Sequence, residues 1–286
     1  MEEEQSPYEL LSTGKPHVSF SEMSTWAKCS YKHYLQHVLK LGEDEASIFL
    51  TFGTAVHASL EKFLKTGVMD IAVALDIINE AYKEHGHLET FHRKNKQDEI
   101  LAQAQKILID FPLFLDAEFP GWKIIDAELP LYEQIDGKPH AFKGYVDAII
   151  TAPNKKGKLV YWVLDFKTTT SYWSREKKSD ALIRAQLILY KNYVSQKLNI
   201  PFKDIRCAFC LLKRKTKPGQ SIERVDVSVG DVTTGRSLKI VNNMLTSMNK
   251  NVAIKNRYDC MYCEFEHTEH CTLIPYGGRK SRQHSV

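Results

Sequence analysis

The sequence predicts an α/β protein: one sheet with helices packed on it, preceded by a helical region and followed by a short cysteine-bearing segment. Three observations support this. Apolar residues recur at helical spacing through the first ~120 positions. From Trp122 the pattern changes to runs rich in β-branched and aromatic residues, divided by turn signals. A long amphipathic stretch then precedes two more such runs, the alternation that a helix-flanked sheet requires.

Taken in order, Ser19 or Ser21 can cap a helix whose apolar stripe is Trp26, Tyr31, Tyr34 and Leu35. Gly53 is read as opening a second helix that buries Ala55, Val56, Leu60, Phe63 and Leu64. Helical patterns over 70–85 and 97–119 come next, the second interrupted at Pro112, which lacks an N–H and crowds the preceding turn. Segments 122–135, 140–151 and 158–168 read as strands. The turn signals Asp136-Gly137 and Asn154-Lys155-Lys156-Gly157 make them an antiparallel meander. A helix over 179–198, strands over 205–213 and 222–228, and a helix over 231–248 complete the set. The expected blocks are a flexible start (1–17), a helical region (18–120), a core (121–250), a cysteine segment (251–275) and a flexible basic tail (276–286).

At 286 residues, 43% hydrophobic and 26% charged, the chain can bury a sizeable core. No apolar run approaches the ~20 residues that span a bilayer, so no membrane association is expected. The start Met1-Glu2-Glu3-Glu4 argues against a secretory signal or an Arg-rich transit peptide, and the expected location is cytoplasmic. The formal charge of +4 is too mild to name a nucleic-acid partner. Its distribution is more telling. Acids cluster at Glu43-Asp44-Glu45, bases at Arg175, Lys177 and Lys178, at Lys213-Arg214-Lys215 with Lys217, and at Arg279, Lys280 and Arg282.

The chemistry concentrates in Leu164-Asp165-Phe166-Lys167. Alternation along a strand puts Asp165 and Lys167 on one face, Leu164 and Phe166 on the other. The preceding strand carries Gly144-Tyr145-Val146-Asp147, and hairpin pairing brings Asp147 beside Asp165. Two neighbouring carboxylates repel unless a cation lies between them, and a hard divalent ion such as Mg2+ or Mn2+ answers that need.

These residues resemble the core motif of the PD-(D/E)XK nucleases, an acid on one strand followed by Asp or Glu, any residue, and Lys on the next. Here Asp147 stands for the first acid and Asp165-Phe166-Lys167 for the rest, with Val146 where the literal motif has Pro. Gly53-Thr54-Ala55-Val56-His57 resembles the upstream helix of the RecB-like branch, and Gln186 with Tyr190 matches its Gln-x-x-x-Tyr pattern. The resemblance spans residues 18 to 272. It implies a restriction-endonuclease-like core, a central mixed sheet flanked by helices, and phosphodiester hydrolysis. It also implies that His57, Asp147, Asp165 and the backbone carbonyl of Phe166 hold the metal, with Lys167, Gln186 and Tyr190 completing the catalytic set. Glu128 is a weaker, supporting candidate.

Six cysteines remain. Cys207 and Cys210 lie three apart in a strand pattern, face opposite sides and are read as core. Cys29 lies early, and Cys260, Cys263 and Cys271 lie late. A disulfide would be unusual inside a cell, and zinc, with His267 or His270 as a ligand, is the general reading of clustered cysteines. The resemblance implies another answer. Trp26-Ala27-Lys28-Cys29-Ser30-Tyr31 and Cys260-Met261-Tyr262-Cys263-Glu264-Phe265 are similar to the segments that hold a 4Fe–4S cluster in CRISPR-adaptation nucleases and the AddB-type nuclease domain.

The function expected from this set is that of an exonuclease on DNA with free or single-stranded ends. A structure-specific endonuclease and a catalytically silent, zinc-bearing DNA-binding subunit are the rivals. The chain lacks a GxxxxGK[ST] motif, so unwinding would fall to a helicase or recombination partner. Tyr172, Trp173 and Arg175, just past the catalytic strand, and Lys213, Arg214 and Lys215 are candidate nucleic-acid contacts, because aromatics interleaved with cations stack bases and hold backbone.

Overall fold

Ser19 starts the first helix by reciprocal capping. Its hydroxyl accepts from the Glu22 N–H at 3.2 Å, and the Glu22 carboxylate accepts from the Ser19 N–H at 3.4 Å. The computed structural model in which this is seen describes residues 16–42, 46–92, 96–261 and 263–272. The acidic start, Glu43-Asp44-Glu45, Tyr262 and the basic tail lie outside the described residues.

The chain runs through β1 (His17–Ser19), α1 (Phe20–Lys28), α2 (Ser30–His33) and a π-helical turn over Tyr34–Val38. The single helix expected here is broken at Cys29, whose backbone is extended and whose Sγ caps α2 by accepting from the Lys32 N–H. Next come α3 (Ile48–Thr66), α4 (Ile71–His85), α5 (Glu89–His92) and α6 (Gln97–Glu118). Two expectations are corrected. Gly53 lies inside α3 rather than opening it, and α6 continues through Pro112. In α6, burial of Ile107, Leu108, Phe111 and Leu115 outweighs the one backbone bond that proline removes.

The remaining elements are β2 (Lys123–Gln134), β3 (Ala141–Pro153), β4 (Leu159–Thr169), α7 (Arg175–Ser179), α8 (Ala181–Lys197), β5 (Ile205–Lys213), β6 (Ile222–Val227) and α9 (Asp231–Asn249). The strands form a mixed six-stranded sheet in the order β1-β3-β4-β5-β6, with β2 also paired to β3. β4 is antiparallel to β3 and parallel to β5, and α8 supplies the crossover that a parallel pair needs. The short β1, which periodicity does not reveal, runs parallel to β3.

Two compact units interleave along the chain. One comprises Met1–Asp44, Tyr132–Gly144 and Gly235–Val286; the other comprises Glu45–Leu131 and Tyr145–Thr234. In the second unit, strand alternation divides the sheet into two faces. Trp162, Leu164 and Phe166 of β4, with Ala208, Cys210 and Leu212 of β5, enter the core beneath α3 and α6. On β5, Cys207 faces the other way, 3.6 Å from the Leu187 carbonyl of α8. The two cysteines are therefore core residues on opposite faces, as their spacing required. Among the described residues, no helix is long and apolar enough to cross a membrane.

Candidate active site

The site grows from the end of the β3–β4 ladder. Regular pairing stops at Ala148 and Leu164, and one residue further Asp147 uses its side chain instead of its backbone: Oδ2 accepts from the Phe166 N–H at 2.5 Å. Its Oδ1 faces Nδ1 of His57 on α3, 3.5 Å away. The His57 ring stands edge-on to Phe166, so the core side of β4 also fixes the imidazole. Asp165 is buried, and its Oδ2 forms an ion pair with Lys167 Nζ at 2.7 Å. That oxygen lacks a well-directed hydrogen bond among the described residues.

Glu128 joins the site through an irregularity of the backbone. Its φ of 58° is left-handed, a conformation costly for a side chain and foreign to a regular strand. Ligand atoms of His57, Glu128 and Asp147 all lie within 4.8 Å of one another. Glu128 thus stands nearer the centre than the sequence suggested, while Asp165 sits beside this trio and not within it. On α8, Gln186 Nε2 donates to the Tyr190 hydroxyl at 3.2 Å, so the pair expected from i, i+4 spacing is formed.

Electrostatics mark the same place. Burial, and after it the charge of Asp147, pushes the Asp165 carboxyl up to about 6, against the pull of Lys167. Burial and Asp147 likewise raise Glu128. Burial alone would lower His57, but the hydrogen bond and charge of Asp147 raise it on balance. Lys167 is raised because Asp165 and Asp147 outweigh its own desolvation. The Tyr190 phenol is raised by burial and then by Asp165, which places it in reach of the acids. Asp165, Glu128, His57, Lys167 and Tyr190 thus all hold protons more tightly than usual, the effect of crowded anions and, for the acids, of burial. One imidazole and two carboxylates in a close trio, beside a buried carboxylate oxygen, fit a divalent ion.

The basic and aromatic residues separate by burial. Tyr172, Arg175 and Lys215 are exposed. Trp173 is buried against Phe209, ring centroids 5.4 Å apart. Lys213 is buried too, with Nζ 3.7 Å from the centre of the Tyr172 ring and 3.6 Å from Glu223. Arg214 is buried over the ring of Phe49.

The other unit brings the remaining thiols together. Cys29, Cys260, Cys263 and Cys271 line one small cavity, although over 200 residues separate the first from the second. Asn256 N–H donates to Cys29 Sγ at 3.4 Å, and the Cys29 N-cap turn supplies the Lys32 N–H at the same distance. Burial, then its neighbours Cys271 and Cys263, raise the Cys260 thiol. Among the described residues, no histidine lines this cavity. The rings of His267 and His270 lie 3.4 and 3.6 Å from the adjacent Glu266 and Glu269.

Comparison with known proteins agrees with this geometry. Residues 17–268 match the model of the PD-(D/E)XK nuclease superfamily. The crystal structure of a "Putative exonuclease" from Eubacterium rectale superposes with a TM-score of 0.56 at 16% identity, covering 87% of this chain and 86% of that one. At that identity the likeness is one of fold. The structure of SSO0001 matches with a TM-score of 0.34 at 16% identity over 82% of this chain and 91% of that one, too low to bear on the fold. No curated protein matches the chain.

Proposed function

This chain belongs to the PD-(D/E)XK nuclease superfamily, and on that premise we propose that it is a metal-dependent exonuclease acting on DNA with free or single-stranded ends. The observation that carries the reading is the trio of His57, Glu128 and Asp147 beside the Asp165–Lys167 pair. His57, Glu128 and Asp147, with Asp165 and the Phe166 carbonyl, would hold Mg2+ or Mn2+; the imidazole makes Mn2+ a fitting ion. When bound, the ion lowers the pKa of a ligating water and offsets charge on the scissile phosphate. Lys167, one-third exposed and held by Asp165, is placed to orient that water or to neutralise charge developing on phosphate oxygens. Gln186 fixes the Tyr190 hydroxyl at the α8 side of the same acids. A separate helicase or recombination partner would supply unwinding.

The test is digestion of linear DNA, single- and double-stranded and labelled at the 5′ or 3′ end, beside closed circles of the same sequence, with EDTA, Mg2+ or Mn2+. Metal-dependent shortening of the linear strands with the circles intact is expected. Cleavage of circles would instead establish an endonuclease.

The reading extends to the four thiols, which we assign to a 4Fe–4S cluster. Four thiols lining one cavity suit it, and so do the backbone N–H groups aimed at Cys29 Sγ. Mononuclear zinc is the rival guest, and the iron and zinc content of protein purified without oxygen decides between them.

A further inference from the structure

Arg214 is held by its backbone and by one arm of its guanidinium. Its N–H donates to the Thr169 carbonyl at 2.9 Å, its carbonyl accepts from Lys106 Nζ at 2.7 Å, and Nη2 donates to Thr170 Oγ1 at 3.0 Å. The loop after it is tied to α6, because Asp110 accepts from the N–H groups of Gly219 and Ser221. The guanidinium lies over Phe49, 4.2 Å from the ring centre, and the residue is 8% exposed. Yet among the described residues Nη1 has no hydrogen-bond partner, and no carboxylate among them pairs with the charge. A buried, unpaired cation is costly without an anion to meet it. A planar fork of N–H donors is shaped for phosphate.

Its position indicates whose phosphate. Thr170 lies just past the end of β4, three residues beyond Lys167. α3 connects the two places. Phe49 touches Arg214, a Cβ added at Gly53 would meet Thr168 Oγ1 at 3.5 Å, and His57 reaches Asp147. From Phe49 to His57 is a rise of about 12 Å at 1.5 Å per residue, too far for the scissile phosphate itself. Leu50, 71% exposed, shares a helix face with Gly53 and His57, and Phe49 is 45% exposed. Apolar surface beside a buried cation suits a nucleotide, base and phosphate together, better than a free anion.

Resting on the nuclease reading above, we propose that Arg214 anchors a backbone phosphate flanking the scissile one once the Phe49 ring that covers its guanidinium turns aside, with Phe49 and Leu50 seating the adjoining base of a single DNA strand. The strand would then run along α3 toward His57.

The test is binding of single-stranded oligonucleotides in EDTA, each with one neutral methylphosphonate at a successive position. The wild-type protein should lose affinity several-fold at one flanking position. Arg214→Gln should be insensitive at that position, with a salt dependence shallower by about 0.7 in log–log slope, the share of one phosphate. Equal sensitivity of both proteins at every position overturns the anchor. If Arg214→Gln fails to fold, the Phe49→Ala, Leu50→Ala double variant carries the test. It should lose affinity for a base-bearing strand but not for one abasic at the adjoining position, and equal loss on both overturns the proposal. If neutralising Glu43, Asp44 and Glu45 together lowers stability non-additively with Arg214→Gln while DNA binding persists, the guanidinium serves an internal acid and the anchor is again overturned. Wild-type protein that neither binds nor cuts DNA defeats the nuclease reading; binding and cutting with an indifferent Arg214 defeats the anchor alone.

Discussion

Burial governs Asp165 before any charge does, lifting its carboxyl from an ordinary 3.8 to about 6. A group whose folded pKa is raised adds stability that is full below 3.8 and is lost as pH rises through about 6, because the unfolded chain releases its proton first. Glu128 and His57 are raised as well, so the site favours protons or a cation. The melting temperature of EDTA-treated wild-type protein, relative to Asp165→Asn, should therefore fall as pH goes from 4 to 7. Mg2+ or Mn2+ should reverse the fall, and more strongly at pH 7 than at pH 5, since protons compete with metal for the same oxygens. A flat difference between the two proteins across that window would contradict the assignment. Asp165→Asn and Lys167→Ala should each slow cleavage at least about a hundredfold, the scale for losing a group that stabilises transition-state charge. Both should fold, since neither removes apolar packing. Initial rates beside a denaturant melt check this.

The elements that hold the site do so through features of unequal legibility. On β4 and α8 the spacing rules suffice: alternation puts Asp165 and Lys167 together, and i, i+4 joins Gln186 to Tyr190. On β2 they do not, because a strand pattern implies extended backbone at every position and Glu128 is left-handed. Glu128→Gly should suit that backbone, leaving stability level or up to about 1 kcal/mol higher. It should weaken metal binding nonetheless, and calorimetric titration with Mn2+ would show whether it does. Gly53 and Pro112 mislead for a related reason, since local propensity suggests boundaries where core packing carries α3 and α6 straight through. The β5–β6 loop is invisible in sequence too, for its anchor Asp110 lies over 100 residues away. Asp110→Ala leaves two backbone N–H groups without their acceptor and should cost about 2 kcal/mol in a denaturant melt.

Across the whole chain, the two compact units interleave: Tyr132–Gly144 groups with Met1–Asp44 and Gly235–Val286, not with the strands around it. Such grouping depends on contacts between distant segments, which periodicity does not encode. The cysteine spacing is legible where the units are not, because one early and three late thiols already pose the question that the shared cavity answers. A guest bound by Cys29 and Cys260 would close a loop of over 200 residues in the unfolded chain. By the chain-entropy scale for cross-links, such closure contributes about 5 kcal/mol, an upper figure because native-state strain subtracts from it. Protein purified without oxygen should be brown and hold about four irons per chain. Cys29→Ser should bleach it and lower the melting temperature by roughly 10 °C. Cys207→Ser should keep its colour, since that thiol lies against Leu187 inside the other unit. Colourless anaerobic protein with a single zinc would overturn the cluster and leave the nuclease chemistry standing, because His57, Glu128, Asp147, Asp165 and Lys167 all belong to the unit without these thiols.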